Sequence, residues 1–234
     1  MLGASVAATC SRRFIVAADV RRRRKVSLTP AHNLHHLFLD RETVDSKPLR
    51  MSSFREKRNL PRLEKHKYQG HAVVFWTNTL EERGRGWLTP AFHARFREIV
   101  LHSMVREHLF CPAYCLMPDH LHLVWMGTRR ESNQLNAIKF LRTQIEPALG
   151  GGRQWQHQPH DHVLREEERR RNAFASFCFY TLANPVRAGL SKIESDWPYS
   201  GALVPGYPTL HPFNEGYWEL FWKRYVKARE DEPA

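Results

Sequence analysis

The chain has 234 residues, 42% of them hydrophobic, which suits one folded unit with a substantial core. A formal charge of +12 calls for a polyanionic partner, and nucleic acid is the commonest one, the competing reading being a merely basic surface. No apolar run approaches the ~20 residues that a membrane-spanning helix needs, and the four cysteines, Cys10, Cys111, Cys115 and Cys178, lack both CxxC spacing and disulfide density, which fits a reducing compartment.

Residues 1–52 read as a basic tail. Within the first fifty, ten Lys and Arg against four Asp and Glu leave a surplus of six, half of the total charge, and the block Arg21 to Lys25 has no amphipathic period. Such a tail is expected to be disordered, either a DNA-contacting arm or a start-site artefact with Met51 as initiator; a targeting peptide is the less favoured alternative.

From His71 the pattern becomes regular. Val73 to Trp76 predicts a strand, closed by a polar turn at Glu81 to Gly86. Thr89-Pro90 opens a helix, Thr as N-cap and Pro at the first helical position, with Phe92, Phe96, Ile99, Val100, Met104 and Leu109 at helical spacing. Phe110 to Leu116 and His120 to Met126 predict two strands joined through Met117-Pro118-Asp119, with Cys111 and Cys115 as small core residues rather than zinc ligands. A second helix is expected from Asn133 to about Ile145, and a fourth strand within Trp155 to Arg165. A third helix should run from Glu167 to Asn184 and close at Pro185. Strand, helix, strand, strand, helix, strand is the order of the ferredoxin-like βαββαβ unit, an α+β fold with helices on one sheet face and the other face open. Residues 206–234 form an aromatic-rich helical extension, in which Trp218, Phe221, Trp222 and Tyr225 have the spacing of core residues rather than of base-stacking ones.

The chemistry concentrates in two places. His120-Leu121-His122 in a strand sends both imidazoles to one face and Leu121 to the other, a pair ready to share one divalent ion. Two unrelated histidines are the bland alternative, and a second pair, His160-Asp161-His162, reads as a strand edge or loop whose Asp161 orients a ligand from outside. Tyr180 and Asn184 lie four apart on one helix, beside the stripe of Phe174, Cys178 and Leu182, so a phenol and an amide oxygen are presented together. A phenol needs a nearby positive centre to act as a nucleophile at neutral pH, and a half-buried helix-end aromatic is the competing reading. Gly150-Gly151-Gly152 lacks the Lys and Ser or Thr of a phosphate loop and reads as a helix stop or linker.

Met117-Pro118-Asp119-His120-Leu121-His122-Leu123-Val124, followed 58 residues after His122 by Tyr180 and then Asn184-Pro185-Val186-Arg187-Ala188-Gly189-Leu190, resembles the single-tyrosine HUH transposases, and among them the REP-associated tyrosine transposases. The resemblance covers about residues 55–205, within a catalytic domain at 53–205. It implies an HUH fold with a catalytic C-terminal helix, Tyr180 as nucleophile, and His120, His122 and Asn184 as ligands of Mg²⁺ or Mn²⁺. It further implies cleavage of single-stranded DNA hairpins from palindromic repeats to a 5′-phosphotyrosine and a free 3′-hydroxyl, then rejoining. The expected setting is the bacterial cytoplasm and nucleoid, as monomer or homodimer and away from membranes. Asp119 stands where many relatives carry asparagine and is assigned, with Asp161, to the surroundings of the metal. Arg165, Arg169, Arg170 and Arg187 are candidate phosphate contacts, though the acidic run Glu166 to Glu168 equally suits a solvated helix face. Two rivals remain: a histidine-triad hydrolase, for which position 124 supplies Val instead of a third histidine, and an inactive, domesticated relative that binds DNA hairpins without cutting them.

Overall fold

The computed structural model describes residues 61–166 and 173–230; the basic tail and Arg169, Arg170 and Arg171 lie outside the described residues. The chain order is β1 (Val73–Thr79), α1 (Pro90–Glu107), β2 (Leu109–Met117), β3 (His120–Gly127), α2 (Gln134–Ile145), β4 (His160–Val163), α3 (Ala173–Arg187), β5 (Ser200–Leu203) and α4 (Tyr217–Glu230). The strands form one antiparallel sheet in the order β4-β1-β3-β2-β5. Its first four members have the arrangement expected of a ferredoxin-like βαββαβ unit. β5 extends it past β2; its sequence, Ser-Gly-Ala-Leu, is short and poor in β-branched residues, so nothing local announced it.

Local chemistry sets the element ends. The Thr89 hydroxyl accepts from the Phe92 N–H at 3.1 Å and Pro90 begins α1, while Asn133 caps α2 by accepting from Leu135 and Asn136. α1 stops at Glu107 because His108 turns left-handed (φ 50°), which makes Leu109 the first residue of β2 and not the last of the helical stripe. Pro118 and Asp119 connect β2 to β3, and the turn is pinned from outside by the Trp87 indole N–H on the Pro118 carbonyl at 2.7 Å.

Side-chain alternation builds two cores. Val74, Trp76, Leu121, Leu123 and Trp125 face α1 and α2, where Phe96, Ile99, Val100 and Leu141 complete a buried cluster. Fully burying each such side chain contributes about 1.5–3 kcal/mol. The opposite face carries Val73, Phe75, Val124 and Met126, too apolar to remain in water, and it is covered by Phe174, Cys178 and Leu182 of α3 and by Tyr217, Phe221 and Tyr225 of α4. The second face is therefore not open as the βαββαβ pattern alone suggests. Cys111, Cys115 and Cys178 are buried free thiols, and no helix among the described residues is long and apolar enough to cross a membrane.

α3 also departs from its expected end. Pro185 lies inside the helix, which continues to Arg187. Proline cannot donate to the Thr181 carbonyl, and the Asn184 side-chain amide donates to it instead at 3.2 Å, and to the Tyr180 carbonyl at 3.1 Å. The helix then closes in a Schellman turn, Leu190 N–H to the Pro185 carbonyl (2.8 Å) and Gly189 N–H to the Val186 carbonyl (3.0 Å), with Gly189 at φ 68°. Much of the segment from Asn184 to Leu190 is thereby accounted for as helix termination.

Candidate active site

His120 and His122 point to the α3 side of the sheet near the β2–β3 turn, beyond the apolar cover. Their Nε2 atoms lie 3.0 Å apart, with the rings nearly perpendicular at 83°. Each Nδ1 has its own partner: His120 Nδ1 meets Asp119 Oδ1 at 2.6 Å, and His122 Nδ1 meets Thr77 Oγ1 at 3.0 Å. Thr77 is opposite His122 in the β1–β3 register, so pairing of the strands delivers the hydroxyl.

These partners decide what the imidazoles offer. Burial pushes the Asp119 carboxyl up, but the hydrogen bond and charge of His120 and the Arg83 guanidinium at 3.3 Å outweigh it and hold the group below its ordinary value. An ionised Asp119 accepts a hydrogen bond from His120 Nδ1 and so turns the ring with Nε2 toward His122. Arg83 reaches Asp119 from a turn in which Glu82 and Arg83 both take left-handed backbone (φ 53° and 55°), uncommon for residues with a Cβ. Burial, then the neighbouring positive charge of His120 and Arg187, depresses His122 to about 3, so its ring is neutral at neutral pH. The Thr77 hydroxyl either donates or accepts, and so suits a His122 Nε2 that donates to His120 or one that presents a lone pair.

The donor set fits a divalent ion. Two imidazole nitrogens bound to one ion at about 2.1 Å and a right angle lie about 3.0 Å apart, the separation that the pair already has. Imidazoles with carboxylate and hydroxyl partners behind them are the usual ligand arrangement. Among the described residues no group of three or more His, Cys, Asp or Glu side chains is placed to hold an ion.

α3 brings the tyrosine to this place. Phe75 stacks on His122 at 5.3 Å and meets the Tyr180 ring edge-on at 6.3 Å, so one β1 side chain separates the imidazole from the phenol. Tyr180 is 46% exposed despite lying between the buried Cys178 and Leu182. The Arg187 guanidinium covers the Tyr180 ring at 4.3 Å, seven residues on and hence on the same helix face. Tyr180, Asn184 and Arg187 thus line one stripe, although the amide nitrogen of Asn184 is committed to the helix carbonyls.

The remaining sequence candidates are placed as follows. Asp161 pairs with Trp76 in the β1–β4 register and faces the α1–α2 side, where it accepts from Tyr68 Oη and pairs with Arg62 at 3.5 Å. It is on the wrong side of the sheet to orient His120 or His122. His160, in contrast, is in register with Thr77 and shares the site face, two strands from His122. Arg165 is exposed just after β4, and Arg169 and Arg170 lie outside the described residues. Thr77 and Phe75 had no signal in the sequence, since their role depends on cross-strand register.

No family model matches the chain. It is similar to a Haemophilus influenzae protein whose name assigns it to the REP-associated tyrosine transposases, 27% identical over 142 residues, which is 55% of this chain and 78% of that one. A REP-associated tyrosine transposase of Escherichia coli is 25% identical over 130 residues, 54% of this chain and 73% of the relative. A solved structure of a REP-associated tyrosine transposase bound to a REP hairpin shares 23% identity over 64% of this chain and 82% of that chain, with a TM-score of 0.48.

Proposed function

We propose that this chain, similar in sequence to REP-associated tyrosine transposases, cuts and rejoins single-stranded DNA through a covalent bond to Tyr180. The observation that carries the reading is the convergence of His120 Nε2 and His122 Nε2 on one point, with the accessible Tyr180 one aromatic ring away.

In this reading Tyr180 Oη attacks the scissile phosphorus, the bond from phosphorus to the 3′ oxygen breaks, and the 3′ oxygen leaves as a hydroxyl once it takes up a proton. The phenol proton is lost to solvent. Arg187 lies over the phenol, where its charge meets the incoming phosphodiester. His120 and His122 would hold Mg²⁺ or Mn²⁺, with the Asn184 oxygen as a further ligand, and the ion would supply Lewis-acid polarisation of the phosphate. Asp119 and Thr77 hold the two rings in orientation. Rejoining is the reverse displacement by a 3′-hydroxyl, and because one phosphodiester replaces another no nucleotide hydrolysis is required. The names of the relatives support palindromic, hairpin-forming repeats as the substrate class.

The test is a single gel. A 3′-labelled hairpin with single-stranded flanks, incubated with protein and Mn²⁺, yields a labelled protein–DNA adduct that chelator and Tyr180→Phe both abolish. Hairpin binding with no adduct from the unaltered chain would instead assign the fold to DNA binding alone. His120→Ala is expected to abolish the adduct while leaving salt-sensitive binding largely intact.

A further inference from the structure

A second charged feature lies on the opposite face of the sheet. Between the outer side of α2 and the segment leading into β4 is a cleft of about 910 Å³, lined by Arg62, Lys139, Arg142 and Arg153, with Glu146 as its one carboxylate. Even counting Asp161, which holds Arg62 at 3.5 Å from outside the lining, cations outnumber carboxylates four to two. Two of the guanidinium groups are fixed in place. Arg142 donates to the Gln156 and His157 carbonyls, and Arg153 to those of Arg85, Leu149 and Gly150 at 2.8, 3.2 and 3.1 Å. With five N–H donors each, both retain donors for a ligand.

The rim explains the three glycines. Gly150, Gly151 and Gly152 all have positive φ (62°, 56° and 67°), and Gly150 combines this with ψ 174°, a region essentially closed to other residues. A Cβ on Gly151 would lie 2.7 Å from Arg153 Nη1, whereas Cβ positions on Gly150 and Gly152 meet nothing within 4 Å. The rim is therefore bare backbone over which an extended chain can approach closely, rather than only a helix stop.

The cleft connects to the active site round the sheet edge. Pro159 lines it, and the next residue, His160, is in register with Thr77 and so shares the site face with His122. His122 and His160 lie two strand spacings apart, about 10 Å. Only β4, an edge strand of four residues, separates the two surfaces. A duplex, with a persistence length of about 150 base pairs, does not turn round such an edge, whereas a single strand does.

We infer that this cleft binds the phosphodiester backbone of a single-stranded flank of the DNA, which leaves the histidine–tyrosine site and passes over β4. The inference rests on the single-strand reading of the active site, but its test does not need turnover. Each phosphate neutralised on a single strand contributes about 0.7 to the slope of log affinity against log salt, or about fivefold in affinity at 0.1 M salt. Arg62→Gln/Lys139→Gln in the full chain should therefore lower the slope for an oligodeoxythymidylate by about 1.4 and weaken binding roughly 25-fold at 0.1 M salt. Lys223→Gln/Lys227→Gln, on exposed positions of α4, removes the same charge elsewhere and should leave the slope unchanged. An unchanged slope in the cleft variant, or an equal fall in both variants, overturns the inference. Should the unaltered chain form no tyrosyl adduct while the cleft variant still loses slope, the catalytic reading fails and the cleft stands.

Discussion

Thr77→Val is the substitution that most directly separates a ligand-positioning network from a pair of incidental histidines. Valine keeps the shape and the β-propensity of threonine but removes the hydroxyl 3.0 Å from His122 Nδ1. His122 is 8% exposed, so solvent replaces that partner poorly. Losing the bond and stranding the ring nitrogen should destabilise the metal-free protein by about 1–2 kcal/mol, which for a domain of this size lowers the Tm by about 2–4 °C per kcal/mol. Removing such a partner from behind a ligating imidazole typically weakens metal binding 10–100-fold, or about 1.4–2.7 kcal/mol. Mn²⁺ titration followed by the spin-resonance signal of the free ion reads this directly, and adduct formation should return as Mn²⁺ is raised. Unchanged Mn²⁺ affinity alongside the expected loss of stability would refute the reasoning, because Thr77 would then support the fold without tuning a ligand.

Three other outcomes are expected. Arg187→Met removes the cation over the Tyr180 ring; with a contact of this kind contributing about 0.5–1 kcal/mol, thermal stability should change little, while adduct formation slows about tenfold, measured in a single-turnover time course with Arg187→Lys as partial rescue. Gly127→Ala places a Cβ 1.8 Å from the Gly70 carbonyl oxygen, and Gly127 also accepts the buried Tyr225 hydroxyl at 2.9 Å; strain and disturbed bonding should together cost about 2–4 kcal/mol in urea unfolding. His93, hydrogen-bonded to Tyr114 Oη at 2.8 Å, is depressed by burial, and next by the Arg97 charge, to about 4. The unfolded chain takes up that proton near pH 6.5 and the native chain only near pH 4, so stability present above 6.5 is lost as pH falls to 4, and His93→Gln should flatten that part of the urea-midpoint profile.

The sequence by itself determined whatever depends on spacing along one element. The cap at Thr89 follows from residue type beside Pro90, and the alternation in β3 that puts His120 and His122 on one face and the i, i+4 pair Tyr180 and Asn184 follow from the 2.0 and 3.6 periods of strand and helix. The βαββαβ order was legible for the same reason. What joined distant segments was not: Thr77 meets His122 only through strand register, Asp161 is carried to the opposite face by the same rule, and α3 crosses the sheet where Phe75 can stand between His122 and Tyr180. The end of α3 needed structure too, since proline ordinarily stops a helix, whereas here the Asn184 amide folds back onto the Thr181 carbonyl that Pro185 cannot serve. Spacing is a local property of the chain, whereas register, face coverage and crossing are set by which buried surfaces match, and those matches exist only once the sheet has formed.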